Sequence, residues 1–134
     1  MTNNNKHNEM KKEAIEAIIE ALEDGYSGYY CDLHNDVFNM EYYIIGTYKA
    51  KEALKEYDVF EAIELVQTYE EDNFGEVNTN LSDPEHLISM VWYIIGCDVI
   101  GEMYEIEAFN DNWNNVADEE TNAIIIKEMK EMFN

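Results

Sequence analysis

A long helix is predicted over residues 83–104, which read DPEHLISMVWYIIGCDVIGEMY. Asp83 suits the N-cap of a helix, and Pro84 suits its first turn. The apolar face of this helix would contain Leu87, Val91, Ile94, Cys97, Gly101 and Tyr104, widened by Ile88, Trp92, Ile95 and Val99. Because a helix that is apolar over so wide an arc needs cover on several sides, it is predicted to be central. Gly96 and Gly101 weaken a helix, so we expect a neighbouring element to approach closely there.

Four further helices are predicted from apolar residues that recur at spacings of three and four. The first spans residues 9–24 and ends at Gly25, where a left-handed residue is favoured. The second spans residues 40–57, the third follows an Asp58 cap, and the last follows an Asp118 cap. The buried stripe of the third helix is predicted to contain Val59, Phe60, Ile63, Val66 and Tyr69.

The whole chain, residues 1–134, is predicted to be a single acidic globular domain. Its fold class is mainly α, a bundle of about five helices. Residues 1–8 are polar and are expected to be a frayed start. No segment between the helices has the composition of a linker that would separate a second domain.

Residues 29–38 also allow one short β-hairpin, because aromatic and branched residues flank a polar centre. On a strand, Asp32, His34 and Asp36 would point to the same face. Two carboxylates and an imidazole in that arrangement would suit a divalent metal, with His34 as a base. The other interpretation is a polar hairpin tip without chemistry.

The charge of the chain is strongly and unevenly acidic. The formal net charge is −22, and none of the 71 residues between Lys55 and Lys127 is a lysine or an arginine, although 18 of them are acidic. A field of one sign destabilises a compact chain by self-repulsion, so its retention indicates that the field itself has a function. A globule of this length is about 36 Å across, and duplex DNA of that length carries about 21 charges. The chain therefore has enough charge to imitate nucleic acid if the charges cluster.

Composition argues against several classes of protein. Two Trp, ten Tyr and five Phe supply more burial than a disordered acidic tail contains. So negative a chain is not expected to bind nucleic acid or an anionic membrane directly. The apolar runs are short and no signal peptide is recognisable, which predicts a cytoplasmic protein. Cys31 and Cys97 are then expected to be buried, reduced thiols.

The acidic residues that are expected to bind a partner form three groups along the chain. Carboxylates three or four residues apart on a helix stand about 5–6 Å from one another and can imitate a row of phosphates. A basic nucleic-acid channel would be steered onto such rows, and exposed aromatic residues would anchor the contact. The predicted partner-binding residues are Glu61, Glu64, Glu70, Glu71, Asp72, Phe74, Asp98, Glu102, Glu105, Asp111, Trp113, Asp118, Glu119 and Glu120.

Three segments of the chain read GYYCDLHN at residues 28–35, YYIIG at 42–46 and DNFGEVNT at 72–79. At these segments the chain resembles small acidic proteins of phages and prophages of low-GC Gram-positive bacteria. The resemblance covers most of the chain from about Ile15 onward and brings no established catalytic residues. It implies a setting in the cytoplasm of an infected or lysogenic bacterial host, where small acidic proteins block CRISPR effectors or restriction enzymes.

These observations lead to one hypothesis about function and two alternatives. The hypothesis is a non-enzymatic inhibitor that binds the basic nucleic-acid-binding surface of a host-defence protein, with anti-CRISPR or anti-restriction activity through nucleic-acid mimicry. The first alternative is an acidic interaction or assembly protein that binds a basic phage or host protein. The second is a small metal-dependent enzyme at Asp32, His34 and Asp36. No cofactor is predicted for the inhibitor, which is expected to be a monomer or a homodimer.

Overall fold

The computed structural model describes residues 2–38 and 57–133, and within these ranges the chain folds into six α-helices. In chain order they are α1 (Thr2–Glu23), α2 (Leu33–Phe38), α3 (Val59–Phe74), α4 (Pro84–Met103), α5 (Glu107–Asp111) and α6 (Glu119–Met132). The prediction of a mainly α bundle is confirmed. The helix predicted over residues 40–57 lies outside the described residues, except for Tyr57.

Helix α4 is the centre of the bundle, as its apolar sequence predicted. It packs against α1, α2 and α3, while α6 packs against α1 and α5. Trp92, Ile95 and Val99 of α4 are buried. Burying a large apolar side chain contributes about 1.5–3 kcal/mol, so α4 supplies much of the stability of the fold.

Gly96 of α4 permits the close packing of α2 that the sequence predicted. A Cβ atom at Gly96 would lie 2.5 Å from the ring of Phe38, too close for any side chain. Phe38 in turn packs against Trp92, with ring centroids 4.9 Å apart. At Gly101 the same expectation is wrong for residues 2–38 and 57–133, none of which, apart from the adjacent backbone of α4, comes within 4 Å of the position that a Cβ atom would occupy.

Three helix ends have the capping residues that the sequence predicted. The Asp58 carboxylate accepts hydrogen bonds from two amides in the first turn of α3, and Asp118 accepts one from the Thr121 amide in α6. Gly25, with φ of 92°, follows α1 in the left-handed region. These ends depend on bonds between residues close in sequence, which is why they are readable from it.

The start of α1 differs from the prediction of a frayed segment at residues 1–8. The helix already begins at Thr2. Only the first turn of a helix is costly, since each later residue adds a hydrogen bond for the dihedrals that it fixes. The buried stripe that begins at Met10 therefore supports a helix that continues into the polar start.

Residues 29–38 are mostly helical, so the predicted β-hairpin is wrong. A 3₁₀ turn at Tyr30–Asp32 leads directly into α2. Tyr30, Leu33 and Val37 are buried, and their spacing of three and four is a helical period. The aromatic and branched residues that indicated strands also fit a helix, and packing of this stripe against α4 decides between the two.

A buried polar contact joins the 3₁₀ turn to α6. The Tyr30 hydroxyl donates to Asn122 Oδ1 at 2.5 Å, and Asn122 Nδ2 donates to the Tyr26 carbonyl oxygen at 3.1 Å. Both Tyr30 and Asn122 are buried, and burial raises the pKa of the Tyr30 hydroxyl. A buried polar group left without a partner costs about 1–3 kcal/mol, so these bonds hold the turn in one position.

The buried side of α3 differs from the predicted stripe. Ala62, Val66 and Glu70 are buried, whereas Val59 and Phe60 are exposed. Phe60 is two residues from Ala62, which is about 200° of rotation around the helix, so the two cannot face the same side. The side on which α3 meets α4 therefore excludes Phe60 from the core.

Helix α4 also has the length and hydropathy of a membrane span over His86–Met103, in the part of the chain that the structure describes. Half of that window is buried inside the structure. The core helix of a packed bundle passes the same test of length and composition. This feature is therefore weak support for a membrane span.

Candidate functional site

Helix α3 presents a face of carboxylates to solvent, which we call the acidic face. The residues of the acidic face are Glu61, Glu64, Glu71 and Asp72. With 3.6 residues per turn, these four lie within about 100° of one another and extend over about 16 Å of the helix axis. All are exposed except Glu61, which is half-buried. No lysine among the described residues forms an ion pair with the acidic face.

A row of exposed aromatic rings lies beside the acidic face. Phe60 and Phe74 are fourteen residues apart, with Gln67 midway, so the three lie within about 40° of one line along α3. Phe60 is 77% exposed and Phe74 is 57% exposed. Phe74 was predicted as an anchor, whereas Phe60 was assigned to the core and missed. Residues seven apart lie on nearly the same side of a helix. This spacing relates Phe60, Gln67 and Phe74, and also Glu64 and Glu71, and is the signal in the sequence that indicates the row.

Glu70 is not part of this surface, and its prediction as a partner-binding residue is corrected. It is 3% exposed, and its Oε1 accepts a hydrogen bond of 2.9 Å from the Thr79 amide. Successive helical residues are about 100° apart, so the three acids at residues 70–72 cannot all face outward. Glu70 instead satisfies a buried amide in the turn that follows α3.

The predicted acids of α4 are partly neutralised by α1. Asp98 and Glu102 are exposed on α4, and Glu105 is exposed just after its end. The Lys11 ammonium contacts both Glu102 carboxylate oxygens, at 2.9 and 2.8 Å. This second group therefore presents less unbalanced charge than the acidic face.

The third predicted group lies mainly at the start of α6, where it stabilises the helix. Hydrogen bonds from the Thr121 amide and hydroxyl, at 2.8 and 2.9 Å, hold the pKa of the Asp118 carboxyl below its usual value. Glu119 and Glu120 occupy the first turn, where carboxylates interact favourably with the helix dipole. Asp111 is exposed at the end of α5. Helix stability alone thus accounts for the positions of Asp118, Glu119 and Glu120.

Trp113, predicted as an exposed anchor, is half-buried in an aromatic cluster. Its ring centroid lies 5.1 Å from that of Tyr104 and 5.5 Å from that of Phe109. Phe109 is buried, so the cluster is continuous with the core. Trp113 is consequently less available to a partner than Phe60 or Phe74.

A second candidate site is a cleft of about 280 Å³ beside α2 and α4 that contains both cysteines. Its lining includes Cys31, His34, Tyr93, Cys97, Tyr104 and Trp113. His34 Nε2 lies 3.0 Å from the Tyr93 carbonyl oxygen and 3.4 Å from Cys97 Sγ. Both cysteines are free thiols, half-buried rather than buried as expected. The cleft therefore places a thiol beside an imidazole.

This thiol and imidazole are not in the state that nucleophilic catalysis requires. Burial lowers the pKa of His34, although its bond to the Tyr93 carbonyl opposes the shift, and burial raises the pKa of Cys97. A carbonyl oxygen only accepts, so Nε2 carries the hydrogen and has no lone pair for the thiol proton. The proton consequently stays on Cys97 Sγ, whereas an activated Cys–His pair holds a thiolate.

Asp32, His34 and Asp36 do not share one face, which corrects the geometry assumed for a metal site. They lie on helical backbone, where residues two apart are separated by about 200°. The Tyr26 hydroxyl donates to Asp36 Oδ2 at 2.7 Å, while His34 faces α4. Within residues 2–38 and 57–133, no group of three His, Cys, Asp or Glu residues is arranged to hold a metal ion. The metal-dependent alternative loses its geometric basis.

No protein-family model matches the chain, and no curated protein or solved structure matches it either. Of the surfaces described above, the acidic face with its aromatic row combines the most exposed charge with exposed apolar rings.

Proposed function

We propose that this protein is a non-enzymatic inhibitor that binds the basic nucleic-acid-binding surface of another protein. The observation that carries the proposal is the acidic face, four carboxylates along α3 within a 71-residue segment that has no lysine or arginine. A nucleic-acid site presents lysine and arginine side chains that neutralise phosphates. The acidic face would occupy those side chains and thereby exclude the nucleic acid.

The spacing of the carboxylates supports mimicry of a phosphate row. One strand of duplex DNA carries a phosphate every ~3.4 Å of axis, which is about five over the 16 Å length of the acidic face. The acidic face offers four carboxylates over that length. Glu61 lies in the first turn of α3, where the helix dipole favours a carboxylate. Glu71 and Asp72 lie in its last turn, where the dipole disfavours them, so the stability of α3 does not account for these two. A basic partner would associate rapidly at low salt and more slowly as salt screens the field.

The aromatic row supports a protein as the partner. Steering by charge raises the rate of encounter, but burial of large side chains at the centre of an interface slows dissociation. Phe60 and Phe74 are the exposed rings next to the acidic face. A partner that covers both would bury the exposed part of each residue, 77% of Phe60 and 57% of Phe74. Charge and apolar contact would therefore act along the same helix.

The partner class that we propose is a host-defence nuclease, either a CRISPR effector or a restriction enzyme. The resemblance to acidic phage and prophage proteins supports this setting, in the cytoplasm of an infected or lysogenic bacterium. CRISPR effectors hold their heteroduplex in a positively charged channel. Anti-CRISPR or anti-restriction activity would then follow from occupation of the channel, without chemistry on either protein.

Two charge-reversal variants of equal net charge test the proposal. The face variant contains Glu61→Lys, Glu64→Lys, Glu71→Lys and Asp72→Lys. The control variant contains Glu13→Lys, Glu16→Lys, Glu20→Lys and Asp24→Lys, on α1 and the turn that ends it. Four reversals of two charges each change the net charge from −22 to −14 in both, so a difference between them reports position and not total charge.

Binding is measured by capture from a bacterial lysate at low and at moderate salt, followed by displacement with duplex DNA. We expect the wild type and the control variant to capture a nuclease that DNA displaces, and the face variant to bind it at least tenfold more weakly. Equal binding by the two variants would contradict mimicry by the acidic face. A captured basic protein that does not bind nucleic acid would favour the assembly alternative.

A further inference from the structure

An apolar groove opens to solvent between the first turns of α3 and α4. It is lined by Tyr57, Val59 and Ala62 on one side and by Leu87, Ile88 and Val91 on the other. Its volume is about 200 Å³, which exceeds the ~150 Å³ of an apolar cavity that accepts benzene. The groove is thus large enough for one large aliphatic or aromatic side chain.

The apolar groove is not filled by the residues that the structure describes. Val59 at its edge is 53% exposed, whereas Ala62, Leu87 and Val91 form a buried floor. Protein interiors are close-packed, and apolar surface that remains open often marks a place where another molecule binds. The contrast with the filled core around Trp92 sets this groove apart.

Two exposed carboxylates are direct sequence neighbours of residues that line the apolar groove. Asp58 lies between the lining residues Tyr57 and Val59, and Asp83 directly precedes the lining residue Pro84; both aspartates are exposed. Each aspartate lies at a helix N-terminus whose dipole equals about half a positive charge, so the full negative charge of the aspartate outweighs it. The groove also lies wholly within the segment that has no lysine or arginine. An entering chain would meet an apolar floor and a negative rim.

We infer that the apolar groove receives one large apolar side chain from a basic segment of the partner protein. The inference rests on the proposed function, because the same partner would contact the acidic face a few residues further along α3. Charge complementarity selects a basic segment. A second copy of this chain would bring an identical negative rim, and repulsion between the two rims disfavours it.

Two lysine-rich peptides serve as probes, identical except that one has a central leucine and the other a serine. Binding to the full chain is measured by fluorescence anisotropy over a range of salt concentrations. The leucine peptide should bind about tenfold more tightly, since burial of a leucine side chain is worth at least that factor. Both affinities should fall with salt while their ratio stays constant, because screening acts on the charges alone.

Val59→Gln places a polar amide at the edge of the apolar groove and should abolish the difference between the two peptides. Ile124→Gln on α6 is the matched control, because Ile124 is 51% exposed and the substitution leaves the charge unchanged. The control should preserve the tenfold difference. Melting temperature and solution mass of the free proteins are measured alongside.

Each other outcome overturns the inference in a different way. Equal, salt-sensitive binding of both peptides would contradict the apolar groove and leave the proposed function intact. Failure of both peptides to bind the wild type at low salt would contradict the proposed function as well. A clearly larger loss of melting temperature in Val59→Gln than in Ile124→Gln, or a change in solution mass, would mean that the chain itself or a second copy occupies the groove.

Discussion

Glu70 and Glu71 are neighbours in the sequence, yet they lie in two regions of α3 that use charge in opposite ways. Glu70 is on the inner side, where its carboxylate accepts a hydrogen bond from the buried Thr79 amide. Glu71 is on the outer side, in the acidic face, where no described lysine pairs with it. In so acidic a chain, a rotation of about 100° around the helix therefore decides whether a carboxylate stabilises the fold or is available to a partner.

Several polar groups of the inner region, those of Glu70 and Asn122 among them, are paired within the chain. The Tyr30 hydroxyl donates to Asn122 Oδ1, and Asn122 Nδ2 donates to the Tyr26 carbonyl oxygen. After α3, the Thr79 amide donates to the Glu70 carboxylate. On the outer side of α3, no lysine within the described ranges pairs with the carboxylates of the acidic face. Substitutions in the inner region should thus change the free energy of unfolding, and those in the outer region should change binding.

The largest effect is expected from Glu70→Lys. The Thr79 amide would lose its acceptor and an ammonium group would be buried, so the free energy of unfolding should fall by about 3 kcal/mol or more. Glu71→Lys is the matched control and should change it by no more than about 0.5 kcal/mol. Urea denaturation of the two variants measures the difference, and equal losses would contradict the division of α3 into two sides.

A smaller loss is expected from Asn122→Ala. The Tyr30 hydroxyl would lose its buried acceptor, and the Tyr26 carbonyl oxygen would lose the hydrogen bond from Asn122 Nδ2, which costs about 2 kcal/mol. The melting temperature should fall by roughly 6 °C, as thermal unfolding followed by circular dichroism can measure. Asn114→Ala, in the exposed turn before α6, should leave it unchanged. If the melting temperature of Asn122→Ala lies within about 1 °C of that of the wild type, the buried contact adds little to stability.

Acid should weaken the wild type through His34. Its pKa in the fold is lowered from the ordinary 6.5 by burial, so below that pH the unfolded chain takes up a proton that the folded chain does not. Stability is therefore lost as pH falls from 6.5 toward the folded pKa. His34→Gln should remove this part of the pH dependence, whereas His86→Gln, at the exposed start of α4, should retain it. The measurement is the free energy of unfolding as a function of pH. The same pH dependence in the wild type and in His34→Gln would contradict the prediction.

The smallest effect is expected from Lys11→Gln, which breaks the ion pair with Glu102 on the outside of the bundle. Both side chains are partly exposed, so the pair should contribute less than about 1 kcal/mol to the free energy of unfolding, and less still at high salt. Lys12→Gln, one residue along α1 and exposed, is the control. A loss as large as that of Asn122→Ala would mean that outer ion pairs matter as much as buried hydrogen bonds.

The candidate site was only partly predictable from the sequence. The absence of lysine and arginine over 71 residues indicated where unbalanced charge lies, and the acids of α3 were among the residues predicted. Phe60 was missed and Glu70 was misplaced, because each depends on which side of α3 meets α4. The apolar groove could not be predicted, since its two walls are about 25 residues apart in the chain and meet only in the fold.

By itself, the sequence determined the features that arise from contacts between close neighbours. These are the caps at Asp58 and Asp118 and the left-handed end at Gly25. The apolar composition of α4 also indicated its central position, because a helix that is apolar on so wide an arc needs cover on several sides. Tertiary structure alone decided that residues 29–38 are mostly helical and that Glu70 turns inward. The physical reason is that a short segment satisfies more than one period, and a buried surface contributed by distant residues selects among them.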